Sequence, residues 1–435
     1  MSFKLRNSSK TELSRMIRLG LLAMVGAVVL PAQAQVDDEA TTDEQEASIT
    51  EEVIVTGFRR SLSVALDVKR TEVGVVDAIM AEDIADFPDT NLAESLQRIP
   101  GVTISRSNGE GRTITVRGLG GQYTRTLING METRASVGGS TSRGFDLNVF
   151  ASELFNSIVF KKTAAAEQTE GSLGSIVILN TARDFDYEEG HTALIGGQAQ
   201  YNDLSEEWGP RITALYSYHD PDGVWGFTAS LAYSDIDVMT ATGNTVRWQK
   251  APFNSVNGVN CGDNPEDAGC AEVSDAFHAR LPRYGTSTLG RERLGFTSGI
   301  QWAPTDRTDV SLDFMYASYD VTQEFKTIEV LFRGNEPGMD VTSYMMETNP
   351  DRFGDGNNTL IAKDVDTARV RSETYLQEQE NEFQQINLTF SHDFSDKWGI
   401  SGMLGTTENE STIPKETTLM YDDRAYDGYS YDYSG

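Results

Sequence analysis

The chain has 435 residues, with 66 Asp and Glu against 36 Lys and Arg, and a formal net charge of −30. So acidic a surface repels phosphate backbones, and no basic stripe with interleaved aromatics occurs, so nucleic acid is excluded as a partner. No segment reaches 18 uninterrupted apolar residues, which excludes a spanning helix but not a closed β-barrel, the other structure that satisfies every backbone group in lipid.

The chain opens with Lys4, Arg6, Lys10, Arg15 and Arg18, continues with an apolar run over 19–30, and then offers small residues at Ala32 and Ala34. This is the layout of a signal peptide, so 1–34 is expected to be cleaved after Ala34 and the rest exported. The run is too short to be an anchor across a ~30 Å hydrocarbon core, which needs about 20 residues. No Cys stands at the cleavage point, so lipid attachment there is not expected. Residues 35–57 read as a flexible acidic segment ending in Glu52-Val53-Ile54-Val55-Thr56-Gly57. The β-branched Val53, Ile54 and Val55 suit strand addition, in which an extended segment pairs its backbone with the edge of a partner sheet. The alternative is an ordinary first strand of the domain that follows.

Residues 58–187 read as one α+β domain. A short helix or strand is predicted over 62–68 and a turn around Asp83, Ile84 and 87–89. A helix follows over 91–101: Leu92, Leu96 and Ile99 share a face, and Pro100-Gly101 stops it. Strands are predicted over 102–106, 114–118, 126–130, 157–162 and 175–181, with a helical turn at 152–156.

After about residue 190 the period changes to two. Phe227, Ala229, Leu231 and Tyr233 alternate with Thr228, Ser230 and Ala232. Leu294, Phe296, Ile300 and Trp302 alternate with Gly295, Thr297, Gly299 and Gln301. Ile386, Leu388 and Phe390 alternate with Asn387, Thr389 and Ser391. Seven strands are predicted, near 192–203, 211–219, 224–235, 291–303, 308–322, 382–393 and 397–408. One face is apolar, with Trp225, Trp302 and Trp398 near strand ends, and the other is small or polar. That is the pattern of a lipid-facing barrel with a wet interior; a soluble β-sandwich alternates too. Short connections at 219–223, 304–307 and 395–397 are interleaved with long ones at 236–290 and 323–381, the arrangement of outer-membrane barrels; the short 204–210 is the exception. Cys261 and Cys270, in a turn-rich loop, read as one local disulfide of an oxidising compartment; two thiols without neighbouring His or further Cys match a zinc site poorly.

With these pieces in order the chain resembles a TonB-dependent outer-membrane receptor. Glu52-Val53-Ile54-Val55-Thr56-Gly57 resembles the TonB box. Residues 91–102, 114–120 and 126–132 resemble the plug signature, and 153–159 and 170–177 its end. The spacing is closest to the large proteobacterial subgroup often linked to carbohydrate uptake. Ser172, Ser175 and Ile178 depart from the Gly-Gly pair and Val-Asn usual in the last plug strand. The resemblance implies an α+β plug domain followed by an antiparallel transmembrane β-barrel over 190–435. A complete barrel of this family has about 22 strands, and 429–435 lacks the family's terminal aromatic strand. The expectation is therefore an incomplete barrel, in an N-terminal portion that stops inside the fourth external loop.

The implied function is energy-coupled uptake across the outer membrane. A small-molecule or oligosaccharide ligand binds from outside, and residues 52–56 are released to TonB and its inner-membrane energising proteins. Arg117 and Gly118 are implied to lie in the plug core; a buried guanidinium needs a carboxylate, and Glu94 and Glu132 are the candidates. Ligand contacts are expected from plug apices: Arg106, Asn108, Arg112, Gln122, Tyr123 and Arg134. Aromatic faces with Arg and Asn suit sugars, catecholates or carboxylates suit the same set, and plain loop mobility is an equal alternative. A siderophore or metal-chelate receptor of the same fold is the runner-up. A binding or signalling-only receptor is disfavoured, because only 16 residues separate Ala34 from Glu51; a soluble adhesin is the third class. His191, His219, His278 and His392 show no triad spacing, and the acidic stretches 351–356 and 421–432 fail the EF-hand pattern. No catalytic residue, metal or cofactor is expected.

Overall fold

The computed structural model describes residues 63–80, 92–107, 110–136, 143–166, 168, 170–333, 338–347, 358–423 and 428–432. The expected signal peptide, the segment 52–56, the turn at 83–89 and Asn108 lie outside the described residues.

The first layer is built from short elements. A helix over 63–71 (α1) precedes β1 (Val76–Met80). α2 (Leu92–Leu96) buries Leu92, Ala93, Ser95 and Leu96, and Gly101 takes the positive φ of 79° that lets the chain reverse after it. β2 (Val102–Ser107) and β3 (Glu110–Val116) form a hairpin. β4 (Thr124–Ile128), β5 (Met131–Thr133), β6 (Phe155–Lys161) and β7 (Ser175–Thr181) join β1 in a sheet ordered β1-β6-β7-β4-β5, antiparallel except for β4 beside β7. Single 3-10 turns at Leu147–Val149 and Ser152–Leu154 bring Val149, Phe150 and Leu154 inward before β6.

The second layer starts with β8 (Gly190–Asn202), β9 (Glu207–His219) and β10 (Trp225–Thr245). The connection 246–281 holds β11 (Trp248–Gln249), β12 (Ser255–Val256), β13 (Val259–Asn260), α3 (Ala268–Ser274) and β14 (His278–Ala279). β15 (Pro282–Thr305) and β16 (Thr308–Val330) follow. β17 (Asp340–Glu347) and β18 (Thr359–Asp366) lie in the next connection, and then come β19 (Val370–Ser395), β20 (Trp398–Asp423) and β21 (Tyr429–Asp432). Seven long strands form an antiparallel meander, β20-β19-β16-β15-β10-β9-β8, in which each of the five inner strands pairs with the long strand before and after it.

These strands overrun their predicted limits at one end only. β10 continues to Thr245, β15 begins at Pro282, β16 reaches Val330 and β19 begins at Val370. The short-turn ends agree with the prediction to within a few residues. The cause is chemical. Beyond the middle of β15, β16 and β19 both faces carry Thr, Ser, Gln, Glu and Lys among scattered apolar residues, so the hydrophobic alternation stops while pairing of β16 with β15 and β19 continues unbroken. The long connections shrink to 246–281 and 331–369 and fold into a cap. A sheet ordered β13-β12-β17-β18-β21 and the pair β11-β14 enclose a separate apolar core of Phe253, Val256, Val273, Phe332, Val341, Leu360 and Val365. Cys261 and Cys270 are joined by a disulfide in it, with Cα atoms 5.4 Å apart.

The main core joins the two layers. Leu92, Leu96, Phe150, Phe155, Phe160 and Leu179 of the first layer share one cluster with Ala232, Leu289, Met315, Ala317, Tyr319 and Phe383 of the long strands. The rings of Phe150 and Phe383 meet edge to face at 4.9 Å. Leu154 packs on Gly295, where any Cβ would collide with its methyl groups.

Candidate functional site

Two tight turns set the surface that the first layer presents. Arg117 and Gly118 have φ of 52° and 79°, and Val116 and Leu119 exchange backbone hydrogen bonds of 3.0 and 2.9 Å across them. Asn129 and Gly130 repeat the pattern with φ of 50° and 82° between β4 and β5. Two successive positive φ values match the right-handed twist of flanking strands, and Asn-Gly adopts them with little strain. The Asn129 side chain is buried and locks onto β7: Nδ2 donates to Thr181 Oγ1 at 3.0 Å, and Oδ1 accepts from the Thr181 N–H at 2.9 Å. Its carbonyl faces the long sheet, accepting from Asn387 Nδ2 at 3.0 Å, and the Ile128 carbonyl accepts from Gln385 Nε2 at 3.4 Å.

Charge organises the rest of this interface. Glu110, at the end of the β2–β3 hairpin, pairs with Arg291 at 2.6 Å and with Arg293 at 3.5 Å. Arg293 Nε also donates to the Asn148 carbonyl at 2.8 Å, and its guanidinium lies 4.8 Å from the Tyr319 ring centroid. Glu153 pairs with Arg211, whose other nitrogen donates to Ser152 Oγ at 3.1 Å. All of these charged side chains are buried or nearly so. Buried ions are tolerated only when paired and hydrogen-bonded, and here each pair has one partner in each layer. Asp146 pairs with Arg112 at 2.6 Å; burial raises its carboxyl above the usual value despite that pair, a direction that fits its 4% side-chain exposure.

The predicted site residues are distributed differently. Arg117 is exposed, and its guanidinium donates to the Lys162 carbonyl at 2.8 Å. The expectation of a core arginine meeting Glu94 or Glu132 is corrected: Glu94 pairs with Arg106 at 2.5 Å, and Glu132 pairs with Arg125. Gly118 is likewise exposed, with nothing within 4 Å of where a Cβ would stand. The physical reason is the tight turn, which projects 117–118 away from the core. Arg106 also donates to Gln97 Oε1 at 3.3 Å, so Arg106 and Arg112 both brace the hairpin. Gln122 and Tyr123 are exposed on the 3-10 turn Gly121–Tyr123. That turn packs on β3, where a Cβ on Gly121 would stand 3.2 Å from the Ile114 carbonyl. Arg134 is exposed after β5, and no described hydrogen bond or ion pair joins it to the others. The interface residues Glu110, Glu153, Asn129, Arg211, Arg291 and Arg293 were not singled out from sequence. One signal was available: charged residues at small or polar positions of an alternating strand.

Residues 68–176 match the family model described as the TonB-dependent Receptor Plug Domain. The chain carries a TonB-dependent receptor plug. The ferric enterobactin receptor PirA of Pseudomonas aeruginosa is 31% identical over 171 residues, 36% of this chain and 23% of that receptor. The probable TonB-dependent siderophore receptor PirA of Acinetobacter baumannii is 25% identical over 345 residues, 68% of this chain and 43% of that protein. The chain thus spans less than half the length of these curated relatives. Among solved structures, a mutant of the ferric enterobactin receptor PfeA of Pseudomonas aeruginosa, in complex with enterobactin, aligns with 15% identity and a TM-score of 0.36, over 81% of this chain and 58% of that one.

The first layer makes a further close contact with the sheet. Asp184 is 1% exposed, and its carboxylate fills the space that a side chain at Gly226 of β10 would need. Burial first, with Asp186 and Asp309 adding repulsion, raises the Asp184 carboxyl to about 6 against the pull of its own backbone N–H and His219.

Proposed function

We propose that the chain is the plug and the adjoining barrel wall of an outer-membrane receptor that imports its ligand by coupling to TonB. The observation that carries this reading is the opposite chemistry of the two faces of the seven-stranded sheet. One face receives the plug through arginines, amides and small side chains. The other exposes Ile212, Tyr216, Ile300, Leu312, Ile386, Leu388 and Phe390. Trp225, Trp302 and Trp398 border that band at the short-turn ends; Tyr201 and Trp208, with rings 5.0 Å apart, border it at the far end of the first hairpin. Ten residues separate Trp208 from Tyr218, whose ring packs on Trp225. That is roughly 33 Å along a strand. At a tilt near 40° it gives about 25 Å of depth, the height of the apolar band between the aromatic girdles of a barrel. A soluble sandwich buries such a face against a second sheet.

Residues 52–56 supply the strand for TonB, and the ligand approaches from the cap side. The named relatives are receptors for ferric enterobactin and siderophores, which favours a ferric chelate; the plug spacing supports a carbohydrate as the second reading. Among the predicted contacts, the exposed Gln122, Tyr123 and Arg134 are the candidates to touch ligand, together with Asn108. Arg106 and Arg112 brace the β2–β3 hairpin. In cells that rely on this receptor for radiolabelled ferric enterobactin or a labelled maltodextrin, deleting 52–56 is expected to stop uptake and leave surface binding intact. Continued uptake would remove that segment from the mechanism, and recovery of the native protein in the soluble periplasm would sink the membrane reading itself.

A further inference from the structure

The cap over the outer strand ends has a core of its own, and an amine sits at its centre. Lys363 of β18 is 2% exposed, and its Nζ has no hydrogen-bond partner among the described residues. It lies 3.8 Å from the ring centroid of Phe332, 4.1 Å from that of Phe253 and 5.4 Å from that of Tyr431. Ring faces attract an ammonium. Withdrawing the ammonium from water costs more than that attraction returns, and no described carboxylate pairs with it. Desolvation wins, so burial holds Lys363 well below the ordinary lysine range.

A second base occupies the same core. His278 of β14 is fully buried, with its ring 4.8 Å from Phe253, Nε2 3.1 Å from the Phe332 carbonyl and Nδ1 3.5 Å from the Ala276 carbonyl. Burial, then the charge that Lys363 carries once protonated, lowers it to about 4. The other titratable groups around the cage are Tyr344 of β17, opposite Lys363 in the strand register, and Tyr429 and Tyr431 of β21. The nearby acids have other partners. Asp340 accepts from Ser255 Oγ and the Gly258 N–H, Asp364 accepts from Ser343 Oγ, and Glu272 accepts from the Tyr344 hydroxyl.

We propose that the cap is a pH-sensitive lid, closed around an uncharged Lys363 and loosened by proton uptake at Lys363 and His278. In the closed cap both bases resist protonation; in an opened cap water restores their ordinary affinities, so the open form binds more protons. Closure therefore strengthens as pH rises and weakens as it falls. The Lys363 contribution changes below the ordinary lysine value of 10.5, and the His278 contribution between 6.5 and about 4. The chemistry of the lid stands apart from the uptake reading, on which only its role as a cover for the ligand side rests.

Amide hydrogen exchange of the whole chain in outer-membrane vesicles, corrected for intrinsic exchange, tests the lid without any ligand. In the wild type the opening constant of β17, β18 and β21 is expected to rise by up to about tenfold per unit fall in pH between 9.5 and 7, the limit for one proton. Lys363→Met should be protected more strongly and lose that slope, keeping only a step below pH 6.5 that belongs to His278. Lys363→Arg, whose charge cannot be shed, should leave the cap open throughout. A wild-type opening constant that is flat from pH 7 to 9.5 would overturn the proposal. So would Lys363→Met less protected than the wild type at every pH, since the ammonium would then be a stabilising cation, or Lys363→Arg as well protected as the wild type.

Discussion

Glu110 balances two buried guanidinium groups, and no other described carboxylate pairs with Arg291 or Arg293. Removing one partner of a buried ionic cluster leaves uncompensated charge at a cost of about 3–5 kcal/mol. Glu110→Gln is therefore expected to loosen the plug, seen as faster proteolysis between 92 and 181 in urea while the long strands stay protected. Asp184 makes the opposite case. Its folded-state value, raised to about 6 from 3.8, means that the folded form holds its proton while the unfolded form has released it. The stability tied to this proton is fully present below pH 3.8, is lost as pH rises through about 6, and at neutral pH a buried anion faces Gly226. Asp184→Asn should raise the thermal midpoint at pH 7, by no more than about 3 kcal/mol of stability, and have no stabilising effect at pH 4. A gain of equal size at both pH values would rule out the titration.

At the scale of elements, the Asn129-Gly130 turn has two separable duties: it sets the twist of β4–β5 and fixes that hairpin to β7. Asn129→Gly keeps the positive φ but loses the bonds to Thr181, whereas Asn129→Ala loses both. The expected losses are about 1–3 kcal/mol for the glycine variant, from buried groups left unpaired, and more for alanine, read from chemical denaturation. Equal losses would mean that the turn conformation contributes nothing. The long strands teach a second lesson. Their inner halves alternate because one side meets plug and the other is apolar; their outer halves alternate in neither sense. The pairing there is fixed by registers that continue from the inner halves, from Trp225 opposite Trp302 to Thr245 opposite Pro282.

For the molecule as a whole, the question is what covers the apolar face of the sheet. Leu388 stands midway in that band, 37% exposed on the side away from the plug. If lipid covers it, Leu388→Arg should impair membrane assembly by about 2–4 kcal/mol, the depth-dependent penalty at a bilayer midplane. Thr407, opposite Gln385 on the side that meets the first layer, should tolerate the same substitution far better. Folding assays into vesicles compare the two; equal tolerance would argue against lipid as the covering phase. The sheet also has two outer strands, β8 and β20, whose outer edges pair with no described strand. Unpaired edges are adhesive in water and intolerable in lipid, so these edges demand further strands if the sheet lies in a membrane.

The sequence by itself determined the period of each region, and with it the order of a small α+β layer followed by a seven-stranded meander with short turns on one side. Those features are local: alternation, Gly-bearing turns and Pro100-Gly101 are written in neighbouring residues. It also made the family resemblance legible, because the plug motifs are contiguous stretches. It did not reveal which charges meet. The motif implies a core position for Arg117, yet its positive φ turns it outward, and the buried partners Glu110 and Arg291 lie 181 residues apart. The cage around Lys363 likewise draws its rings from 253, 332 and 431. Such pairings are decided by three-dimensional register and by the energetic demand that every buried charge be answered, and neither is encoded in any short window of the chain.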